Sequence, residues 1–278
     1  MISVLILTRN EERNLPAVLK NVSWSDDIVV FDSFSTDRTV EIAKAAGARV
    51  VQREFDNERN QREASLRVGF KYGWVYNPDA DELAEPELIR EMKEAVNRID
   101  RGAVAYRVRF KTMFFGRWIR HSSLYPTWVV RLFRPECVSF EREINLVYVI
   151  KGPEGRFDSH FLHYTFNNGI SAWFEKHNKY SDKEALESQR ELRPLEVCAR
   201  ELLSRSSVDR RRALKELSIR MPLRPLFRFI YMYFVRAGFL DGRAGLSYCT
   251  MLTVYEYMIV LKIREAKLRK EEANRGLL

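Results

Sequence analysis

Two carboxylates, Asp79 and Asp81, follow a short apolar and aromatic run at residues 73–76. The run is typical of a buried strand, and residues two apart on an extended backbone point to the same side. Two acids on one side of a strand end repel each other unless a cation lies between them. Mg²⁺ and Mn²⁺ prefer oxygen ligands, and Mg²⁺ is commonly bound by one or two carboxylates together with substrate phosphates. The pair therefore favours a divalent metal site, and the alternative is a solvated acidic turn before the helix that begins near Pro86.

Polar clusters also follow two earlier apolar runs. Residues 2–7 precede the cluster at 8–11, and residues 27–32 lead into the cluster at 32–37. Apolar runs that alternate with helical patterns at this spacing predict a parallel sheet with helices on both faces. Ligands of such sheets bind at the carboxyl ends of the strands. Three strand ends that bring polar groups to one edge indicate a binding site better than the acid pair does alone.

The remaining elements follow from periodicity and breakers. Helical patterns are predicted at 15–22, at 39–46 before Gly47, at 60–70, at 87–99 and at 169–188. Nearly all of the chain beyond Arg190 is also predicted to be helical. Strands are predicted at 48–52, 103–110 and 127–133.

Composition places the chain among folded soluble proteins, with 46% hydrophobic and 31% charged residues. Cys137, Cys198 and Cys249 are far apart, which fits neither a metal-ligand spacing nor a disulfide framework and predicts a reducing cytoplasm. The N-terminal apolar run lacks a basic start, so we expect a first strand and not a signal peptide.

Charge is concentrated in the C-terminal third. Residues 190–278 carry 19 Lys and Arg against 10 Asp and Glu, which accounts for the whole net charge of +9. Such an excess predicts an anionic partner: a membrane surface, a nucleic acid or an anionic substrate.

Two apolar segments lie in this basic third. Residues 222–235 mix large apolar side chains with arginines, which predicts an interfacial helix with its arginines directed at anionic headgroups. The 16 residues at 246–261 would reach about 24 Å, short of the ~30 Å hydrocarbon core, and they include Glu256. We therefore expect this second segment to lie on or against the domain without spanning. The alternative for both segments is an ordinary helical subdomain.

Four motifs in the N-terminal part, in this order, resemble family 2 glycosyltransferases of the GT-A fold. They are residues 8–11 (Thr-Arg-Asn-Glu), 32–39 (Asp-Ser-Phe-Ser-Thr-Asp-Arg-Thr), 61–64 (Gln-Arg-Glu-Ala) and 79–82 (Asp-Ala-Asp-Glu). Two later segments, 176–181 and 238–246, resemble the branch that includes the lipopolysaccharide-core β-1,4-glucosyltransferases. One departure is that Asn77 and Pro78 interrupt the strand before the acids, where Pro removes a ladder donor.

The resemblance implies a fold and a reaction. The fold is α/β, a Rossmann-like mixed and mostly parallel sheet flanked by helices with a C-terminal helical extension. The expected domains are a catalytic domain at 1–188 and a basic, membrane-interfacial helical region at 189–278. The reaction is inverting, metal-dependent transfer of one sugar from a nucleotide-sugar, with a UDP-sugar expected. The Gln-x-x-Arg-Trp signature of processive members is absent from the sequence, which favours a single transfer per acceptor.

The resemblance also assigns the metal and diphosphate residues. Asp81 is the expected direct ligand of Mg²⁺ or Mn²⁺, and Asp79 contacts the ribose or reaches the metal through water. His163 matches a family position near the diphosphate and metal, and its alternative is a packed core histidine. Arg62 is placed to meet the diphosphate or orient the acids, and its alternative is a helix-surface cation.

The same resemblance assigns the nucleotide cleft and the base. Thr8, Arg9 and Glu11 line the cleft, with a solvated charge as the alternative for Arg9. Asp32 binds the nucleobase or ribose, with an Asx-turn as its alternative. Glu143 is the candidate base for the acceptor hydroxyl. A second acid, Glu141, is a possible substitute for it, and both also fit ordinary strand-surface positions.

The expected partners are a lipopolysaccharide-core or lipid-linked glycan acceptor and an anionic membrane surface at the cytoplasmic face. A sugar nucleotidyltransferase is an alternative, but residues 5–10 lack the glycine-rich phosphate loop. A polyanion binder using residues 210–212 is another, although no recognised nucleic-acid module is present and no nucleic acid is expected. A catalytically inactive scaffold with the same fold is the last alternative.

Overall fold

A computed structural model describes residues 1–97, 102–141, 146–188, 194–204, 206, 209–210, 213–214, 217 and 223–275. The chain forms two compact units. The sheet unit comprises Met1–Trp118 and Leu124–Asn168, and the helical unit comprises Ile119–Ser123 and Gly169–Leu278.

The described strands all lie in the sheet unit. They are β1 (Ser3–Thr8), β2 (Ile28–Asp32), β3 (Arg49–Gln52), β4 (Val75–Tyr76), β5 (Glu82–Ala84), β6 (Ala105–Phe114), β7 (Arg117–Trp118), β8 (Trp128–Phe133), β9 (Val138–Glu141), β10 (Val147–Ile150) and β11 (Glu154–His163).

The described helices are divided between the two units. They are α1 (Leu15–Asn21), α2 (Thr39–Ala45), α3 (Glu58–Ser65), α4 (Pro86–Asn97), α5 (Gly169–Ser188), α6 (Leu195–Leu202), α7 (Arg224–Ile230) and α8 (Gly242–Asn274).

A nine-stranded mixed sheet forms the centre of the sheet unit, in the order β3-β2-β1-β4-β8-β6-β11-β5 with β7 on β6. Its N-terminal half, β3-β2-β1-β4, is entirely parallel. β8 joins that half to β6 through antiparallel pairs, and β6 pairs with β11 in parallel. β9 and β10 form a separate antiparallel pair. The predicted mixed α/β sheet flanked by helices, with a C-terminal helical extension, is confirmed.

Both faces of β1 are buried. Val4 and Ile6 belong to one apolar cluster, which also contains Leu88 of α4. Leu5, between them, belongs to a second cluster with Phe133. A strand covered on both faces has no need for polar alternation, which explains the continuous apolar run of β1.

Local hydrogen bonds set where one predicted helix begins and ends. The pattern at 60–70 predicts a helix there, whereas α3 spans Glu58–Ser65. Asn57 caps it, because its side-chain oxygen accepts the N–H of Asn60 at 2.8 Å. Gly69 follows at a φ of 71°, a left-handed conformation that glycine adopts at little cost.

In the helical unit, α5 packs along α8. His177 of α5 meets the ring of Tyr255 edge-on at 4.9 Å, and Lys262 of α8 donates to the side-chain oxygen of Asn178 at 2.7 Å. The sequence placed the domain boundary after residue 188. In the structure α5 lies in the same compact unit as the C-terminal helices, and the domain boundary stays a prediction.

The arginines of the 222–235 segment are not all directed outward, so that expectation is wrong for Arg224. Its guanidinium lies 2.7 Å from the carboxylate of Glu256, and the two side chains are 15% and 13% exposed. An unpaired Glu256 would leave an uncompensated charge inside the unit, which explains why Arg224 is turned inward.

Residues 238–274 form the single stretch, within the part of the chain that the structure describes, long and apolar enough to cross a membrane. Core helices of soluble proteins pass the same test, so this is weak evidence. The prediction that residues 246–261 do not span stays a prediction.

Candidate active site

The carboxyl ends of β1, β2 and β4 meet at one edge of the sheet. Thr8 lies opposite Asp32 in the parallel register of β1 and β2. On the other side of β1, Leu7 bridges to Asp79, just beyond the end of β4. The structure therefore brings three of the predicted site residues to neighbouring positions on this edge.

Asp32 is fully buried, and both of its carboxylate oxygens accept hydrogen bonds from the protein. Thr8 Oγ1 and Ser35 Oγ donate to Oδ1 at 2.9 and 2.5 Å. The Ser35 N–H and Gln52 Nε2 donate to Oδ2 at 2.9 and 3.0 Å. These four donors fill the roughly four acceptor positions of a carboxylate. This geometry matches the turn-forming alternative. Direct contact of Asp32 with a nucleotide stays a prediction and requires one of these bonds to open.

Arg9 and Glu11 lie in the loop after β1. The guanidinium carbon of Arg9 is 5.7 Å from the centre of the Phe55 ring. The backbone N–H of Glu11 donates to Thr39 Oγ1 at 2.8 Å, and its carboxylate accepts from Asn14 Nδ2 at 2.7 Å. Glu11 thus holds the loop after β1 against the start of α2, while Arg9 remains exposed at the strand ends.

A buried network of charged side chains surrounds Asp79. Arg62 Nη2 donates to Asp79 Oδ1 at 3.2 Å, and Arg131 Nη2 donates to Asp79 Oδ2 at 2.5 Å. Arg131 also donates to both oxygens of Glu82, at 2.7 and 2.6 Å. The arginine side chains are only 12% and 7% exposed. Arg62 is therefore not the solvated helix-surface cation of the alternative interpretation.

The network shifts the pKa values of its two acids in opposite directions. Burial raises the pKa of Asp79, but the guanidinium groups of Arg131 and Arg62 outweigh it and hold that pKa well below its usual range. Burial raises the pKa of Glu82, and its bonds to Arg131 offset this only in part. Asp79 is therefore ionised, and its charge is already neutralised by two cations.

Sequence reasoning missed Arg131. Its position within the apolar strand β8 was the available signal, because a charged residue at a core position needs an opposite charge beside it. The sequence does not indicate which carboxylate supplies that charge.

Asn77 and Pro78 interrupt the strand that leads to Asp79, and the Asn77 side chain compensates. It is 2% exposed, and its Nδ2 donates to the carbonyl oxygen of Leu5 at 2.7 Å. Its Oδ1 accepts from Arg62 Nη1 at 3.2 Å. This side chain thus ties the interrupted segment to β1 and to the arginine that holds Asp79.

Asp81 lies beside His163 and has no arginine among the partners found for it. Its Oδ2 is 3.4 Å from His163 Nε2, and its carbonyl oxygen accepts the N–H of Tyr164 at 2.9 Å. Burial lowers the pKa of His163, but its hydrogen bond with Asp81 and the charge of that acid outweigh burial and raise it. His163 also meets the ring of Phe110 edge-on at 5.2 Å. It is therefore packed among aromatic rings and paired with an acid at the same time.

No three His, Cys, Asp or Glu side chains of the described residues converge as a preformed metal cage. Asp81 offers an oxygen atom and His163 a nitrogen atom as candidate ligands. This suits an ion that takes its other ligands from substrate phosphates and water. Asp79 competes poorly as a ligand, because a metal would have to displace Arg62 or Arg131. The residues present fit a divalent ion bound together with a diphosphate through Asp81 and His163.

Glu143, the predicted base, belongs to residues 142–145, which lie outside the described part of the chain. Glu141 is exposed at the end of β9, opposite Val147 of β10. The next residue of β10, Tyr148, accepts a hydrogen bond from Arg62 Nη1 at 3.0 Å. Tyr148 of β10 thus contacts the network around Asp79 through Arg62.

Sequence comparisons identify the family. An uncharacterized glycosyltransferase of Rickettsia typhi is 24% identical over 288 residues, which covers 96% of this chain and 88% of that protein. The 4,4'-diaponeurosporenoate glycosyltransferase of Staphylococcus haemolyticus is 45% identical over 62 residues, 21% of this chain and 16% of that protein. The family model described as glycosyl transferase family 2 matches residues 3–157. The chain belongs to this family.

Solved structures also resemble the chain. Glucosyl-3-phosphoglycerate synthase of Mycobacterium tuberculosis, in complex with Mn²⁺, UDP and glucosyl-3-phosphoglycerate, is 22% identical with a TM-score of 0.39. That match covers 49% of this chain and 57% of the synthase. Staphylococcus aureus TarS is 14% identical with a TM-score of 0.44, over 99% of this chain and 91% of that one.

Proposed function

We propose that this chain is an inverting, metal-dependent glycosyltransferase that moves one sugar from a nucleotide-sugar to a glycan acceptor. The observation that carries the proposal is the pair Asp81 and His163 beside the Asp79 network, at the strand ends of a family 2 chain. A UDP-sugar is the first donor to test. The acceptor class is lipopolysaccharide core or a lipid-linked glycan at the cytoplasmic face of the membrane. It is supported by the resemblance of residues 176–181 and 238–246 and by the basic C-terminal third.

The chemistry requires charge stabilisation of the departing diphosphate. A divalent ion bound with the donor would supply positive charge to the diphosphate oxygens as the bond to the sugar breaks. Asp81 and His163 would hold that ion. Arg62 and Arg131 stay with Asp79 and Glu82, and they fix the backbone that presents Asp81. The nucleotide-sugar thus binds beside an acid, Asp79, whose charge is already neutralised by two arginines.

Inversion needs a base on the acceptor side. The acceptor hydroxyl oxygen bonds to the anomeric carbon from the face opposite the diphosphate. The old carbon–oxygen bond breaks, and its electron pair leaves with the diphosphate. Glu143 takes the hydroxyl proton, a contribution of about 10²–10⁴ in rate.

The first experiment tests the donor site. Thermal unfolding of the full chain is measured with UDP, with Mn²⁺ and with both, for the wild type, for Asp81→Asn and for the exposed control Asp158→Asn. Ligand at about 100 times its Kd stabilises the folded state by about 2.7 kcal/mol. We expect the combined ligands to raise the unfolding temperature of the wild type and the control but not of Asp81→Asn. An equal shift in Asp81→Asn contradicts the metal assignment.

The second experiment tests inversion and the base. Transfer is followed with lipid extracts as acceptor, and the anomeric configuration of the product is determined by NMR. We expect inversion, and a fall in kcat of about 10²–10⁴ in Glu143→Gln with the nucleotide shift retained. The matched variant Glu141→Gln should keep its activity. Retained configuration, or a larger loss in Glu141→Gln, contradicts the assignment.

A further inference from the structure

The outer side of the segment 223–235 is covered by large apolar side chains. α7 continues directly into a wider helical turn at Tyr231–Val235. The outward side chains along these turns are between 40% and 69% exposed. We call six of them the apolar stripe: Leu223, Leu226, Phe227, Ile230, Phe234 and Val235.

Most members of the stripe are three or four residues apart, which is the spacing of one helix face. The inward side carries Met232, which is 1% exposed, and Arg224, which is paired with Glu256. A surface helix of a water-soluble protein normally places charged or polar residues on the outward face. Here the outward side is mainly apolar instead, and the next turn continues the exposure with Phe239 and Leu240, 48% and 61% exposed.

Arg228 of the segment is half-buried with its Nε enclosed. Arg224, also within the segment, and Arg236, just after it, are directed toward the helical unit. Arg224 is paired with Glu256, and Arg236 Nη2 donates to the carbonyl oxygen of Ser123 at 3.3 Å. Both arginines thus use their donors within the helical unit. An exposed apolar surface of this extent normally marks an interaction site.

We propose that the apolar stripe inserts into the acyl-chain region of a lipid bilayer and holds the chain on one leaflet. Charge decides between a bilayer and a second copy of the chain as occupant. Residues 223–275 carry ten Lys and Arg against five Asp and Glu. Two such surfaces repel each other, whereas anionic headgroups attract each of them. The stripe lies at the start of this basic stretch, as a lipid-inserting helix beside headgroup-binding cations requires.

The inference specifies the membrane contact of the proposed function. Vesicle binding is measured without donor or acceptor, so its outcome is independent of sugar transfer. Insertion of apolar side chains does not depend on lipid charge. Binding must therefore persist on neutral vesicles and in about 1 M salt, where the Debye length is about 3 Å. Attachment by arginines alone requires anionic lipid and is lost in salt.

The test is co-sedimentation of the full chain with phosphatidylcholine vesicles, with and without phosphatidylglycerol, at low salt and at about 1 M salt. The stripe variant carries Leu226→Ser, Ile230→Ser and Phe234→Ser together. We expect the wild type to bind both kinds of vesicle at both salt concentrations. The partition coefficient of the stripe variant should fall by about 100-fold or more, because three large side chains no longer leave water for hydrocarbon.

A matched control removes at least as much exposed apolar surface elsewhere. Phe115, Leu203 and Leu268 are 68%, 88% and 58% exposed, and the control variant changes all three to Ser. It should bind vesicles as the wild type does. Equal unfolding temperatures of the two variants verify that both are folded.

Three results overturn the inference. The first is binding that requires phosphatidylglycerol and disappears in high salt. The second is equal vesicle binding by the stripe and control variants. The third is a wild-type dimer in light scattering that the stripe variant converts to a monomer, which assigns the stripe to a second copy. Retained transfer to a detergent-solubilised acceptor by the stripe variant would leave the proposed activity intact in all three cases.

Discussion

Asp79 and Asp81 are two residues apart, yet they have different electrostatic partners. Asp79 is held by Arg62 and Arg131, whereas Asp81 lies next to His163. Asp79 is thus neutralised inside the protein, whereas no arginine is among the partners found for Asp81. The two acids therefore differ in their surroundings, and ligand binding by Asp81 stays a prediction.

Arg131 is the residue on which this division depends. Removing one member of a buried ion pair costs about 3–5 kcal/mol, because the remaining charge is left uncompensated. We expect Arg131→Leu to lower the free energy of unfolding by that amount, measured by urea denaturation. The exposed neighbour Arg134, whose guanidinium lies 5.0 Å from the centre of the Trp74 ring, is the control. Arg134→Leu should change stability by no more than about 1 kcal/mol. Equal effects of the two substitutions would show that the network does not stabilise the fold.

At the scale of elements, Asp241 joins the start of α8 to the segment 119–123. Its side chain is 5% exposed and accepts the backbone N–H groups of Arg120, His121 and Ser122 at 3.1, 2.9 and 2.7 Å. Gly245 allows this close packing, because an added Cβ would lie 2.2 Å from the carbonyl oxygen of Gly238. The segment 238–246, which resembles a glycosyltransferase branch, is thus held against residues 119–123 within the helical unit. We call this contact, made through Asp241, the clasp.

The clasp predicts a pH dependence. Burial raises the pKa of Asp241, but hydrogen bonds from Ser122 and His121 outweigh it and lower the pKa below 3.8. The stability that this carboxylate contributes is therefore present above pH 3.8 and is lost as the pH falls through the lowered value. We expect Asp241→Asn to cost about 1.5–3 kcal/mol at neutral pH, and the difference from the wild type to shrink below about pH 4.

Urea denaturation at neutral pH and at steps down to about pH 3 measures this difference. Asp158→Asn, at an exposed position, is the control at neutral pH and should leave stability unchanged. If the difference in unfolding free energy between Asp241→Asn and the wild type grows toward acid pH, the stabilising role of the Asp241 carboxylate is contradicted.

At the scale of the whole molecule, the net charge of +9 lies entirely in residues 190–278. This concentrated positive charge attracts any polyanion, but charge alone does not distinguish one nucleic-acid base from another. We expect duplex DNA to bind no more tightly than about 10⁻⁴–10⁻⁶ M at physiological salt, with affinity falling steeply as salt rises. Fluorescence anisotropy with a labelled duplex measures this.

Poly-glutamate is the control polyanion, and it should displace the DNA, since only charge is shared between the two polymers. Tight binding that resists both salt and poly-glutamate would favour the nucleic-acid alternative over an anionic membrane partner.

The sequence by itself determined where the first four strands lie along the chain and that their polar clusters meet at one sheet edge. Periodicity, breakers and the chain order of β1, β2 and β4 are local properties, so they can be read without coordinates. The family follows from motifs within this same region.

Only the tertiary structure decided which charged side chains form ion pairs with each other. Arg131 and Asp79 are 52 residues apart, and no local pattern links them. Contacts between distant segments likewise fill the hydrogen-bond acceptor positions of Asp32 and turn Arg224 inward. They also pack α5 on α8. Hydrogen-bond and ion-pair partners are fixed by packing in space, and the pKa values and exposed surfaces of this protein follow from that packing.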